Sequence, residues 1–397
     1  MLVIAAPGQG AQAPGFLTPW LDLPGVADRL AAWSDLAGCD LISCGTTAGA
    51  EEITDTAIAQ PLLVAAALAT AEALFGGLGH ASNQAAIAAG HSVGELAAGA
   101  IAGVLSAEDA MRLVGVRGRA MAKAAAAEAT GMTAVLGGDQ DQVLAVLAAH
   151  GLTPANVNGA GQIVAAGTMA QLEALAAGPP AGARLRPLAV AGAFHTAHMA
   201  PAVDALREAA ASVTVRDPRM VLLSNADGAP VSTGRDWLER VVTQVSTPVR
   251  WDECMRTMSG MGASALIELP PGGTLTGLAR RALPQLARAA LKTPDDLAAA
   301  RALLAEHGTP EDHYAGHTPD WRLLVAPAAG TFRAGAGQDA PPGSRVGAGA
   351  PLGHIEVRSG EEPVAPGFPA TVQEGLVEDG DPGTVGQPLI RLQPETA

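Results

Sequence analysis

The sequence predicts an α/β protein: a parallel sheet, interrupted by a smaller β-α-β-β-α-β subdomain and followed by a small all-β domain. Three observations predict it. A strand, a glycine-flanked turn and a helix succeed one another around residue 90; the rhythm changes between about 130 and 190; and a Gly- and Pro-rich tail from about 305 carries a near-repeat.

Taken in order, residues 2–6 are a short apolar run ending in Pro7-Gly8-Gln9-Gly10, which reads as a buried strand and a flexible loop. An alanine-rich helical stretch covers about 61–78. The apolar run 84–89 leads into Gly90-His91-Ser92-Val93-Gly94 and then the helix-forming Glu95-Leu96-Ala97-Ala98, the order found at the centre of a parallel α/β sheet. From there the pattern predicts strands over 132–136, 152–158, 162–166 and 184–191, with helices over 142–150 and 169–177. That β-α-β-β-α-β succession is the ferredoxin-like unit. Strands over 220–224 and 265–269 resume the first pattern, which stops near Lys292-Thr293-Pro294. In the tail, Val325-Ala326-Pro327 recurs as Val364-Ala365-Pro366, and Ala350-Pro351-Leu352-Gly353 as Gln387-Pro388-Leu389-Ile390, so two similar halves of short strands are expected. The predicted layout is a main subdomain of 1–128 and 192–300, an inserted one of 129–191, a linker over 301–320 and a β domain over 321–397.

Length and composition agree with that layout. The 397 residues, 48% hydrophobic, have room for two or three domains at roughly 150 residues each. Twenty-four basic against 39 acidic side chains give a net charge of −15, which disfavours nucleic acid and anionic membranes as partners. Cys39, Cys44 and Cys254 are odd in number and form no CxxC pair, so neither a disulfide scaffold nor a zinc site is expected. The first residues lack the positive region of a signal peptide. Glu72, His91 or Glu95 breaks each apolar stretch before about 18–20 residues, so no membrane span is expected. A reduced, soluble, cytoplasmic protein follows.

Gly90-His91-Ser92-Val93-Gly94 matches G-x-S-x-G, in which glycines let a serine stand on a sharp strand-to-helix turn while the next backbone N–H faces the reacting carbonyl. The helix start beneath it favours an oxyanion. Such a serine needs a base, and nine histidines are candidates. His195 follows the last strand of the inserted unit and can return to the main sheet; His91 diverges from its neighbour Ser92, and His198 suits solvent equally well. Ser106-Ala107-Glu108-Asp109 resembles a capping box opening a helix. On it Arg112, Arg119 and Lys123 share one face, while Arg117 lies opposite, among Leu113 and Met121. An inward guanidinium meets either an internal carboxylate or a substrate carboxylate, and the helix pattern alone does not decide. The Gly8-Gln9-Gly10 loop is suited to supply a second oxyanion N–H.

Together these residues resemble the malonyl-CoA:acyl carrier protein transacylase family over about residues 1–300. The resemblance rests on Pro7-Gly8-Gln9-Gly10-Ala11-Gln12, Gly90-His91-Ser92-Val93-Gly94-Glu95, Arg117-Gly118-Arg119, Asn156-Val157-Asn158-Gly159-Ala160-Gly161-Gln162, Gly192-Ala193-Phe194-His195, Gln244 with Pro248-Val249-Arg250-Trp251, and Pro271-Gly272-Gly273-Thr274-Leu275-Thr276-Gly277-Leu278. It implies an α/β-hydrolase-like subdomain interrupted by a ferredoxin-like one. It also implies Ser92 as acyl nucleophile, His195 as its base, the Gln9 and Val93 N–H groups as oxyanion hole, and Arg117 as partner of the malonate carboxylate. Gln244 would orient the histidine through its backbone carbonyl, and Phe194 would fill the space of a 2-methyl branch. Malonyl-CoA and acyl carrier protein are the implied substrates, with no metal or dissociable cofactor, and a monomer is the implied state. Arg112, Arg119, Lys123, Arg280 and Arg281 are candidates for docking an acidic carrier, although each also reads as ordinary solvated charge. A serine thioesterase or esterase is the alternative within enzymes; an interaction module is the alternative for the tail.

The tail resembles a biotinyl/lipoyl carrier domain through Glu378-Asp379-Gly380-Asp381-Pro382 and Gly386-Gln387-Pro388-Leu389. The place of the prosthetic lysine is held by Val357-Arg358-Ser359-Gly360-Glu361-Glu362, and the chain's only lysines are Lys123 and Lys292. Covalent biotin or lipoate is therefore not expected.

Overall fold

Leu2–Ala6 is apolar at every position and forms a strand buried on both faces, as the inner strands of a parallel sheet are. In the computed structural model, which describes residues 1–190, 192–308, 322–335, 343–357, 360–385 and 387–394, this strand is β1. It is followed by β2 (Ile87–Gly90), β3 (Thr130–Gly137), β4 (Thr153–Gly159), β5 (Gln162–Thr168), β6 (Ala183–Pro187), β7 (Val221–Leu222), β8 (Val249–Arg250), β9 (Ala265–Glu268) and β10 (Ala287–Ala290). The chain divides into two compact units, Met1–His313 and Tyr314–Ala397.

The first sheet has the order β10-β9-β1-β2-β7, and every neighbouring pair is parallel. Ala6 lies beside Gly90 at the ends of β1 and β2, so the loops leaving both strands share the carboxyl edge where α/β sheets bind ligands. β2 is shorter than the apolar run before it, because Ala81–Gln84 is a helical turn.

The helix Thr56–Phe75 begins earlier than expected: the Asp55 carboxylate accepts the Ala57 N–H and caps it, leaving Pro61 inside. By length and composition this helix could cross a membrane, which corrects the expectation that Glu72 would cut the stretch short. Here it is a buried core helix packed on Ala107–Ala125.

The second sheet, β6-β3-β5-β4-β8, confirms the antiparallel ferredoxin-like unit and adds a strand to it. The two residues of β8 pair in parallel with β4, Asn156 beside Val249 and Val157 beside Arg250. So short a strand has no periodicity to read. Helices Gln140–Ala149 and Met169–Ala177 cover one face over Val135, Leu147, Ile163 and Leu175. The other face gives Met132, Val164 and Ala166 to the main core. β6 stops at Pro187, short of the expected 191, and Ala191 lies outside the described residues.

The first unit also runs past residue 294. Helix Leu297–His307 packs on β9, β10 and β1, taking up the start of the expected linker; 309–321 lie outside the described residues. At the end of β9 the buried Glu268 carboxylate accepts the N–H groups of Gly273, Leu275 and Thr276 and the Thr276 hydroxyl, each at 2.8 Å, and so caps helix Thr274–Ala282.

The second unit holds β11 (Arg322–Val325), β12 (Gly330–Ala334), β13 (Arg345–Val346), β14 (Gly353–Val357), β15 (Gly360–Val364), β16 (Ala370–Gly375), β17 (Pro382–Gly383) and β18 (Pro388–Pro394). They form two four-stranded antiparallel sheets, β11-β18-β16-β13 and β15-β14-β12-β17, around Phe332, Ile355 and Leu389. Advancing every strand by four positions, cyclically, turns one order into the other. The sequence near-repeat obeys the same rule: Val325 closes β11 as Val364 closes β15, and Gly353 opens β14 as Ile390 lies early in β18. The β14–β15 hairpin joins the halves; its tip, 358–359, lies outside the described residues.

Candidate active site

Ser92 leaves the carboxyl end of β2 with φ of +53°, a left-handed conformation that serine rarely adopts. Gly90 and Gly94, two residues before and after it, are glycine for want of space. A Cβ on Gly90 would stand 2.0 Å from the Gly94 carbonyl carbon, and one on Gly94 would stand 2.3 Å from the Ala6 carbonyl oxygen. β1 and helix Gly94–Ile101 thus close tightly on the turn, and the hydroxyl points out of the sheet.

That hydroxyl lies 2.8 Å from His195 Nε2. His195 is brought back from the end of the inserted subdomain by a tight loop in which Ala193 N–H donates to Thr130 Oγ1 and Thr196 Oγ1 donates to the Ala193 carbonyl. Its own φ is +61°. Its Nδ1 lies 3.0 Å from the Gln244 backbone carbonyl at the end of helix Gly234–Gln244, where carbonyls carry the negative end of the helix dipole. The Gln244 side-chain nitrogen is 2.9 Å from the same Nδ1. The carbonyl and the amide favour opposite tautomers. Only the one that donates Nδ1–H to the carbonyl leaves Nε2 free to accept from serine.

Arg117 reaches the pair from helix Ala107–Ala125, whose first turn Ser106 caps by accepting from Asp109 N–H. Arg112, Arg119 and Lys123 are exposed on one side, as their spacing predicts, and Arg117 is buried on the other. Its Nη1 donates to Gln60 Oε1 at 2.6 Å, and its Nη2 to Gln244 Oε1 at 3.2 Å and Ser92 Oγ at 3.3 Å. All three acceptors are neutral. Glu95 is the acidic group that acts on it electrostatically, and burial raises that carboxyl to about 8, so it is largely protonated at pH 7. Burial lowers Arg117 only to about 10, and it stays charged. A buried cation among neutral oxygens is a receptor for an anion. The internal ion pair that the helix pattern left open is absent among the described residues. Burial first, and the Arg117 charge second, push His195 down to about 3, so at pH 7 it is a neutral base.

The backbone N–H groups of Gln9 and Val93 donate to nothing among the described residues, while the Gln9 side chain is tied to the Thr54 carbonyl and Thr56 Oγ1, both at 3.3 Å. Two amides left unpaired in the loops after β1 and β2 are what an oxyanion hole needs. His91 turns away from Ser92, as expected of a neighbour in such a turn, and its Nε2 lies 2.8 Å from Asn158 Oδ1. Phe194 is buried in the main core.

Residues 6–304 match the acyl transferase domain family. The chain is 53% identical over 297 residues to the malonyl CoA-acyl carrier protein transacylase of Mycobacterium tuberculosis strain H37Rv, covering 75% of this chain and 98% of that one. The chain belongs to the malonyl-CoA:acyl carrier protein transacylase family. The transacylase of Escherichia coli K12 is 36% identical over 301 residues, with 74% and 96% covered. Crystal structures of transacylases share the fold. That of MCAT from Mycobacterium tuberculosis superposes with a TM-score of 0.71 at 52% identity, over 75% of this chain and 98% of that one. A malonyl-transacylase solved with a type II PKS acyl-carrier protein gives 0.69 at 31% identity, over 76% and 99%.

Of the residues singled out in the sequence, Ser92, His195, Arg117 and Gln244 meet directly. The transacylase fold also recruits residues that sequence reasoning passed over. Gln60 has no motif, and its position under Arg117 exists only once two helices pack. Asn225 hydrogen-bonds to the Ser92 turn; one signal was available, since it directly follows a strand expected in the parallel sheet.

Proposed function

We propose that the chain transfers the malonyl group of malonyl-CoA to the phosphopantetheine thiol of acyl carrier protein, with Ser92 carrying the acyl group between them. Nε2 of His195 takes the Ser92 proton as Oγ attacks the thioester carbonyl; the Gln9 and Val93 amides hold the oxyanion; the C–S bond breaks and His195 returns the proton to the departing CoA thiolate. The carrier thiol then attacks malonyl-Ser92 by the same steps in reverse, a ping-pong cycle. Arg117 holds the free carboxylate throughout and fixes the acyl group against the turn. Gln244 keeps the histidine in the basic tautomer through its carbonyl, in the place an aspartate takes in a Ser-His-Asp triad. Phe194, beside the base, restricts room for a 2-methyl branch. These steps call for no metal or dissociable cofactor. We place the enzyme in the cytoplasm, acting as a monomer.

One observation carries this reading: a fully buried guanidinium, bonded among the described residues only to neutral oxygens, 3.3 Å from the hydroxyl of a Ser–His pair. A hydrolase for neutral esters has no use for such a charge. Intact mass after incubation with malonyl-CoA tests it. The wild type should gain one malonyl group, lose it on addition of phosphopantetheinylated carrier, and Ser92→Ala should gain none; an adduct persisting in Ser92→Ala overturns the assignment.

A further inference from the structure

The turn that carries the nucleophile is held from outside by one side chain. Asn225 directly follows the Leu222–Ser224 segment, beyond β7, the strand next to β2, and is fully buried. All of its polar groups are engaged. Oδ1 accepts the Ser92 N–H at 2.7 Å and Nδ2 donates to the Gly90 carbonyl at 2.7 Å, so the amide brackets the turn from the carbonyl before it to the N–H within it. Its main-chain N–H donates to Glu95 Oε1 at 2.8 Å, and its carbonyl accepts the Arg250 N–H at 2.8 Å. Asn225 is thereby anchored to the helix after the turn and to β8 of the second sheet.

Two consequences follow from this geometry. A serine at φ of +53° relaxes unless its surroundings hold it, and the bracket spans the peptide units where relaxation would begin. The bracket also divides the donors of the turn: the Ser92 N–H is committed inward, while the Val93 N–H stays unpaired. We propose that Asn225 is a positioning residue for the acyl transfer, acting through Ser92 to keep the hydroxyl on His195 Nε2 and the Val93 amide available to the oxyanion. The proposal rests on the reading of Ser92 as nucleophile. It leaves malonate recognition alone, since Arg117, Gln60 and Gln244 do not touch Asn225.

The test compares wild type, Asn225→Ala and Asn225→Asp, per mole of protein with the native near-UV circular dichroism. It reads kcat and KM for malonyl-CoA, and the rate at which an uncharged fluorophosphonate labels Ser92. Asn225→Ala should lower both kcat and the labelling rate about 100-fold, the effect of an ångström-scale misplacement, with KM within about threefold. Asn225→Asp keeps an oxygen toward the Ser92 N–H and loses the donor to Gly90; it should fall about tenfold. Wild-type labelling and kcat in folded Asn225→Ala, with only a lower Tm, would make Asn225 a scaffold residue and overturn the proposal. If Asn225→Ala does not fold, Asn225→Asp decides by the same criterion. A wild type that forms no malonyl adduct refutes the Ser92 reading itself, whatever the variants do.

Discussion

The two units of this chain bury different chemistry. Among its described residues the first encloses sixteen polar or charged ones, including Glu95, Arg117, His195, Asn225, Gln244 and Glu268. The second, among its described residues, encloses none: its interior is Phe332, Ile355, Leu389 and other apolar side chains. Buried polar groups weaken a fold unless each finds a partner, and they persist where they do something that packing cannot. The contrast puts the buried polar groups in the first unit and leaves the described part of the second with an apolar interior.

The largest effect that could break this contrast is at His195. His195→Ala should lower kcat on the order of 10⁴-fold while leaving the near-UV spectrum unchanged; a small loss would show that the buried imidazole is structural. Next, Arg117→Met should cut the preference for malonyl-CoA over acetyl-CoA by about 100-fold in kcat/KM, without lowering Tm, because it removes a buried charge that no anion balances. The same variant should move the acid limb of the rate profile upward, since the Arg117 charge helps to hold the His195 pKa down.

A smaller effect separates the units by pH. Burial raises Glu95 from 4.5 to about 8, so the folded protein holds that proton more tightly than the unfolded chain. The stability this contributes is complete below pH 4.5 and is lost as pH rises through 8. Glu95→Gln has no such titration and should gain on the wild type in Tm as pH rises from 5 to about 8.5; a constant difference would refute the shift. The smallest effect on catalysis belongs to the second unit. Phe332→Ala, a cavity in a core of that size, should cost about 3–5 kcal/mol and unfold the β unit, while kcat stays within about twofold. A collapse of kcat would show that the β unit reaches the chemistry.

How much was legible in advance follows the same division. Ser92 could be read because steric need writes glycines on both sides of it, and Arg117 because a cation on the apolar side of a helix contradicts the helix's own pattern. The internal symmetry of the second unit could be read because strand-ending tripeptides recur at equivalent places. Asn225 and Gln60 could not: each is a common residue type whose role comes from an element far along the chain, and no periodicity marks the approach. β8 has only two residues, and β10, Ala287–Ala290, is half-buried and carries an arginine, so neither offers the continuous apolar run that revealed β1.

The two residues of β8 have a mechanical consequence. The polypeptide visits the small lobe once as an insertion and again at Val249–Arg250, where it pairs with β4 and bonds to Asn225 behind Ser92. Swinging that lobe outward on a hinge would tear this stitch and slacken the Ser92 turn in the same movement. A pantetheine thiol must therefore reach Ser92 with the two lobes still sewn together.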